Sequence, residues 1–311
     1  MSSPDTPALL VLVGPTAVGK TELSLQLAAR LDGEIVSADS RLFYRGMDIG
    51  TAKPTPAERA RIPHHLIDVA EPDQPWSLTV FQKAAAGAIA DIFRRGRQPL
   101  LVGGTGQYVH AVTHGWSPPV AAPNPGLRST LEKMAGEHGK DWLHARLAAL
   151  DPEAAIAIDA RNLRRTVRAL EVILATGRKF SEQRGRGQGL YRLVTIGLTR
   201  PRPELYARID ARIEAMFAAG LLDEVRALLA KGYSPDLPTM SAIGYRECAT
   251  VLRGEMTVER AKVQMRHLTR VFVRRQANWF KLTDPGIHWF DAGAFDLEEI
   301  IQLVGDSPKS P

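Results

Sequence analysis

Gly14-Pro15-Thr16-Ala17-Val18-Gly19-Lys20-Thr21 follows the apolar run Leu9-Leu10-Val11-Leu12-Val13 and leads into Glu22-Leu23-Ser24-Leu25-Gln26-Leu27-Ala28. The first flank has the character of a buried strand, and the second repeats apolar residues at helical spacing. Strand, glycine-bounded loop and helix together are the context that makes G-x-x-x-x-G-K-T a phosphate site. The glycines let backbone N–H groups converge on phosphate oxygens, and the helix N-terminus adds a favourable dipole. In such a loop Thr16, Ala17, Val18 and Gly19 supply backbone donors. Lys20 reaches a terminal phosphate, and the Thr21 hydroxyl helps to hold Mg²⁺. The octapeptide predicts a diphosphate-bearing ligand but not which one.

Outward from this loop, the first 115 residues alternate strand-like and helix-like patterns, as a parallel α/β sheet requires. The patterns predict strands at Leu9–Val13, Glu34–Ser37 and Pro99–Val102, with helices at Lys20–Leu31 and Ser77–Arg95. Between them, Ser40 to Pro75 carries five prolines and reads as a long irregular connection, of the kind that is usually functional. A Pro- and Ala-rich stretch from Ser117 to Pro125 marks a boundary, and a run of helical patterns follows it. Arg178 to Gly189 reads as a flexible basic hinge, and Leu190–Leu198 returns to a core strand. Further helices are predicted at Glu204–Ala219, Leu222–Lys231, Tyr245–Arg253 and Thr257–Phe280, with a last short strand at Ile287–Phe290. The expected architecture is a P-loop NTPase-like parallel sheet flanked by helices, residues 1–120 and 190–311. An all-helical domain, residues 121–189, is inserted into it.

At 311 residues, with 44% hydrophobic and 24% charged side chains, the composition is that of a globular protein. Cys248 is the only cysteine, which rules out an intrachain disulfide, and there is no Cys/His cluster for a structural zinc. Neither a signal peptide nor a membrane-spanning apolar run is evident, so a cytoplasmic monomer with no membrane contact is expected.

The formal net charge of +6 is unevenly placed. Arg161 to Arg186 holds eight basic residues against Glu171 and Glu182, and Arg260 to Lys281 holds seven and no acid. Lys262, Arg266, Arg270 and Arg274 recur every fourth residue, along one face of a predicted helix. Arginine outnumbers lysine thirty to ten, which suits phosphate forks and base stacking. A polyanionic partner is expected, although each stretch alone is compatible with a solvated helix face.

A P-loop kinase or ATPase needs a carboxylate after a neighbouring strand to organise Mg²⁺. Here Pro99-Leu100-Leu101-Val102 runs instead into Gly103-Gly104-Thr105-Gly106. The carboxylate stands after the second strand, as Asp39 in Ser37-Ala38-Asp39-Ser40. At the C-terminal end of a strand, Asp39 faces the crevice where open α/β sheets bind ligands.

These residues closely resemble one family. Gly14–Thr21 together with the block Asp39-Ser40-Arg41-Leu42-Phe43-Tyr44-Arg45-Gly46-Met47-Asp48-Ile49-Gly50-Thr51-Ala52-Lys53-Pro54 is similar to the tRNA isopentenyltransferases. Further blocks follow in family order at Pro63–Asp68, Gly103–Thr105, Arg168–Val172, Ile243–Glu247 and Arg275–Phe280. The resemblance implies transfer of a dimethylallyl group from dimethylallyl diphosphate to N6 of adenosine 37 in tRNA, with Mg²⁺ as cofactor. It implies that Asp39 is the catalytic carboxylate and that Lys20 and Thr105 lie beside the reacting groups. It also implies that Arg212 joins Gly14 and Thr16–Thr21 around the diphosphate. Contacts to the tRNA anticodon stem-loop are implied for Asp39, Ser40, Arg41, Leu42 and Thr105, and for Arg128, Arg164, Arg165 and Arg168 in the insertion. Later in the chain they are implied for Gly244, Tyr245, Arg246, Arg274, Arg275, Gln276 and Trp279. Arg164 departs from the family pattern, which often has an amide there, and a cation cannot accept a hydrogen bond from a base. Asn278 replaces a common Thr.

Two other activities share parts of this constellation. An isopentenyltransferase acting on free adenine nucleotides needs neither the helical insertion nor a basic helix face. A P-loop kinase lacks its carboxylate after Val102, and an idle RNA-binding module leaves Lys20, Asp39 and Thr105 unused.

Overall fold

The structure is a computed structural model, and it describes residues 8–117, 119, 121–183, 185–186 and 191–305. Contacts divide the chain into two units, Met1–Thr113 with Gly189–Pro311, and His114–Gln188.

The first unit is built on β1 (Ala8–Val13), β2 (Gly33–Ser37), β3 (His64–His65) and β4 (Gln98–Val102). The first four helices are α1 (Lys20–Arg30), α2 (Pro56–Arg61), α3 (Leu78–Arg94) and α4 (Gly106–Thr113). In the second unit the chain passes through β5 (Trp116–Ser117), α5 (Pro125–His138), α6 (Lys140–Leu150), α7 (Pro152–Ala157), α8 (Leu163–Thr176) and β6 (Gly185–Arg186). It then resumes the first unit with β7 (Arg192–Thr199), α9 (Arg202–Ala218), α10 (Leu221–Ala230), α11 (Tyr245–Leu252), α12 (Val258–Ala277), β8 (His288–Asp291) and α13 (Leu297–Gly305).

The main sheet has the order β3-β2-β4-β1-β7-β8, and every pairing is parallel. Parallel strands covered by helices on both faces read as continuous apolar runs, and Leu9 to Val13 are accordingly almost fully buried. Each such side chain contributes about 1.5–3 kcal/mol by leaving water. Because β4 lies between β1 and β2, the loops after all three strands open on one edge of the sheet. These are the loops that carry Lys20, Asp39 and Thr105. On β2, the buried Glu34 accepts hydrogen bonds from Arg95 (2.8 Å), Arg97 (3.0 Å) and His65 (2.7 Å). The hydrogen bond from Arg95 is the main influence holding this carboxyl at about 2.

The second unit begins before the expected residue 121, because Trp116–Ser117 and Gly185–Arg186 pair antiparallel where the chain leaves and returns. Its helices pack around Leu131, Leu143, Leu147, Val167, Leu170 and Val172. Asp151 is fully buried and caps α7, accepting the Ala154 N–H (3.0 Å) together with the N–H and hydroxyl of Ser181 (both 2.8 Å). The expected hinge Arg178–Gly189 lies partly outside the described residues. Its described part contains a single 3₁₀ turn, Ser181–Gln183, and β6.

The irregular stretch Ser40 to Pro75 is more ordered than its prolines suggest. Thr55 opens α2 with a reciprocal capping box to Glu58. Buried Lys53 donates to the Tyr44 carbonyl (2.8 Å), Asp48 and Asp68 (2.6 Å). Among the described residues, no helix is long and apolar enough to cross a membrane.

Candidate active site

The loop after β1 has the backbone its sequence requires. Gly14 has φ +147°, and a Cβ there would lie 2.7 Å from the Leu198 carbonyl oxygen. Gly19, with φ +122°, starts α1. Ala17 holds φ 63°, a left-handed conformation that costs a non-glycine residue of order 1 kcal/mol. Lys20 folds back on this loop, its Nζ donating to the carbonyls of Gly14 (3.0 Å) and Pro15 (2.8 Å). Desolvation lowers its pKa to about 8, with Asp39 pulling it up and Arg212 pushing it down. Burial also lowers the Arg212 guanidinium, and Asp39 partly offsets this. Lys20, Arg212 and Asp39 thus form one electrostatic group, drawn from α1, α9 and the loop after β2.

Two cavities, of about 460 and 440 Å³, share Thr16, Ala17, Asp39, Thr51 and Arg212 as a common wall. The first is bordered by Gly19, Lys20, Thr21, Arg208 and Gly103, with Ile35, Leu42, Ile67 and Val102 as apolar lining. The second is bordered by Ser40, Arg41, Thr105, Ser241, Arg246 and Arg275, with Phe272, Met265 and Ile213 as apolar lining. One chamber therefore holds the phosphate-loop residues, the other holds hydroxyls and arginines, and Asp39 belongs to both. Asp39 is oriented by accepting the Arg41 N–H (3.0 Å). Gly103 lets the loop after β4 close on that after β2, because a Cβ there would lie 2.6 Å from the Ala38 carbonyl oxygen.

Among the described residues, no group of three or more His, Cys, Asp or Glu is placed to hold a metal ion. The Thr21 hydroxyl borders the first cavity beside Gly19 and Lys20. A single protein oxygen of this kind fits Mg²⁺, which keeps several waters and takes most of its remaining ligands from substrate phosphates.

Not every residue expected to meet RNA is exposed. Arg164, Arg165, Arg246, Arg274, Arg275 and Trp279 are. Gln276 is only 5% exposed, and Tyr245 is fully buried with its hydroxyl donating to Glu224 (2.6 Å). Gly244, with φ +102°, is buried beside it. Burial, reinforced by Glu224, raises the Tyr245 phenol. These three residues support the site from behind instead of lining its surface. Arg128 and Arg168 are committed to Glu171, a fully buried carboxylate that they bond at 2.9 and 2.6 Å. Burial alone would raise the Glu171 carboxyl, but Arg128, Arg168 and the Asn124 N–H more than reverse this and hold it low.

The regular basic face of α12 also needs correction. Lys262 and Arg266 pair with Glu214, and Arg270 pairs with Asp210 (2.8 Å) while its guanidinium lies 4.9 Å from the centre of the Tyr206 ring. Three of the four arms thus reach the acids of α9, whose spacing answers theirs. Only Arg274, in the last turn, has no ion pair among the described residues.

Arg208 was not anticipated. It lies one turn before Arg212 on α9, borders the first cavity and donates to the Ala17 carbonyl (2.8 Å). The four-residue spacing of the two arginines was the available signal. Glu224 was also unforeseen. It accepts the N–H groups of Asp48 (2.9 Å), Ile49 (2.7 Å) and Gly50 (3.2 Å), and so ties the long Asp39–Pro54 block to α10.

Comparison with known proteins agrees with this geometry. The family model for IPP transferase matches residues 42–283. The tRNA dimethylallyltransferase of Roseiflexus sp. (strain RS-1) is 56% identical over 291 residues, 94% of this chain and 95% of that protein. That of Herpetosiphon aurantiacus is 52% identical over 309 residues, covering 99% and 98%. Among solved structures, the full-length tRNA isopentenylpyrophosphate transferase of Bacillus halodurans aligns with a TM-score of 0.71 at 40% identity, covering 96% of each chain. A eukaryotic dimethylallyltransferase acting on tRNA aligns with a TM-score of 0.78 at 27% identity, covering 97% of this chain and 77% of that one. A parallel sheet of this order, the two chambers around Asp39 and matches spanning nearly the whole chain lead to one conclusion: this chain belongs to the IPP transferase family.

Proposed function

We propose that the chain is a tRNA dimethylallyltransferase, which moves a dimethylallyl group from dimethylallyl diphosphate to N6 of adenosine 37 beside the tRNA anticodon. The observation that carries this reading is the common wall at Asp39 between a phosphate-loop chamber and a hydroxyl- and arginine-lined chamber. The donor diphosphate occupies the first chamber and the acceptor base the second.

In the reaction the C1–O bond of the donor breaks, and its electron pair leaves with diphosphate. The N6 amine forms the new N–C1 bond and gives up a proton, which Asp39 accepts. An exocyclic adenine amine is a weak nucleophile, and a positioned base of this kind contributes about 10²–10⁴-fold. The leaving group gains negative charge as the bond breaks, and Lys20, Arg212 and the loop N–H groups stabilise it as that charge develops. Arg208 adds a further cation at the rim. Thr21 would hold Mg²⁺ beside the diphosphate, where the ion would supply additional charge neutralisation. Thr105 borders the acceptor chamber and orients the amine.

To reach Asp39, the base leaves its stack at a cost of about a few kcal/mol. Arginine contacts to the RNA backbone offset this cost. Arg41, Arg246, Arg274 and Arg275 are the candidates in the first unit, and Arg164 and Arg165 in the second.

The test is to incubate the protein with Mg²⁺ and labelled dimethylallyl diphosphate, adding unmodified tRNA, AMP or ATP in separate reactions. Label should appear in tRNA only. Label in AMP would assign the chain to the free-nucleotide enzymes. Turnover of ATP without isoprenoid would make it a P-loop phosphotransferase.

A further inference from the structure

Gln276 lies near the end of α12, where Arg274, Arg275 and Trp279 are exposed, yet its own side chain is buried. Its Oε1 accepts the Thr16 N–H at 2.9 Å, and its Nε2 donates to the Gly104 carbonyl at 3.0 Å. Those backbone groups belong to the loops that follow β1 and β4, one carrying Lys20 and the other Thr105. We infer that Gln276 is a positioning residue that locks the phosphate loop to the loop of Thr105, and so sets the diphosphate cradle from behind.

The residue type fits that task. A side-chain amide offers an acceptor and a donor on two separate atoms, spaced to reach two loops, without bringing charge beside a phosphate site. A carboxylate would repel the diphosphate, and lysine or arginine cannot accept from Thr16. The fit is close, since a Cβ on Gly104 would lie 2.3 Å from Nε2. Leaving the Thr16 N–H and Gly104 carbonyl without their shared partner would release both loops, because buried polar groups are costly to leave unpaired. Buried with both bonds made, this amide offers little surface to RNA. The inference rests on the proposed function only in naming the ligands. The bridge itself concerns diphosphate binding and can be tested without RNA.

The experiment is titration calorimetry of the full-length protein with inorganic diphosphate and Mg²⁺, and in parallel with a tRNA anticodon stem-loop. Gln276→Met keeps the volume and removes both hydrogen bonds. Gly104→Ala displaces the amide and brings a Cβ within 3.1 Å of the Gly14 carbonyl oxygen, without altering any exposed arginine, so Gln276→Met is the variant that isolates the amide. In each variant the diphosphate Kd should rise about tenfold, with the stem-loop Kd within twofold of the wild type. Unchanged diphosphate affinity in both variants would overturn the inference, and so would a tenfold loss of stem-loop affinity with diphosphate unaffected. If wild-type protein transfers no dimethylallyl to tRNA while the variants still bind diphosphate poorly, the positioning role stands and the acceptor assignment falls. Wild-type protein that does not bind diphosphate would overturn both.

Discussion

The two basic stretches look alike as sequence and differ as structure. In α12, Lys262, Arg266 and Arg270 are consumed by Glu214 and Asp210 across a helix pair, which leaves the last turn to meet a partner. In the helical unit, Arg128 and Arg168 are drawn inward to neutralise the buried Glu171, while Arg164 and Arg165 stay exposed on α8. Both stretches spend part of their charge on their own fold, one at a half-exposed interface and the other around a buried carboxylate. A sequence charge count therefore overstates the surface available to RNA. The free cations are those for which the chain supplies no acid.

The largest effect should come from the buried centre. Glu171→Ala removes the carboxylate shared by Arg128 and Arg168; because both arginines are partly exposed, the cost should fall below the roughly 3–5 kcal/mol of a fully buried pair, to about 2–3 kcal/mol. Denaturant unfolding followed by circular dichroism should show the loss, and a change below about 1 kcal/mol would place the pair with ordinary surface bridges. Because the Glu171 carboxyl is held below its ordinary value, its contribution is present above about pH 4.5 and is lost as the pH falls further.

Charge at the catalytic loop should show as pH dependence. Lys20 in the ligand-free protein has its pKa lowered to about 8. Diphosphate binds the protonated form and raises that pKa, so affinity should be flat below pH 8. Above it, affinity should fall up to about tenfold per pH unit. Calorimetry between pH 7 and 9.5 tests this, and Lys20→Met should abolish the slope.

Smaller effects separate free arginines from paired ones. Arg274→Gln should weaken stem-loop binding several-fold and reduce the salt slope by about 1. Arg270→Gln should leave both unchanged and cost less than about 1 kcal/mol of stability, since the pair with Asp210 is partly exposed. A shallower salt slope for Arg270→Gln would mean that RNA displaces Asp210, and would restore the uniform basic face.

Most of the sheet was legible because Leu9–Val13 of β1 is a continuous apolar run, and β2, β4 and β7 each carry a shorter apolar core, Ile35-Val36, Leu100–Val102 and Leu193-Val194, that leaves a trace in the sequence. The short α2, α4, β3 and α13 were not, since their existence depends on caps and neighbours more than on periodicity. Gly103-Gly104-Thr105-Gly106 reads as a loop, yet α4 begins at Gly106, which is glycine because Trp279 fills the space where a Cβ would stand. The phosphate loop and the placing of Asp39 at a strand end followed from local pattern alone. The inward turn of Gln276 and the α9 partners of α12 did not, because each depends on contacts between residues far apart in the chain.

The proposed chemistry of Asp39, at the wall shared by the two chambers, has one direct test. The direct measurement is the single-turnover rate of dimethylallyl transfer to tRNA by Asp39→Ala, with stem-loop affinity measured on the same preparation. The rate should fall by about 10²–10⁴, with affinity within a few fold of wild type. A preserved rate, or a collapse of RNA binding that accounts for the lost rate, would contradict that chemistry.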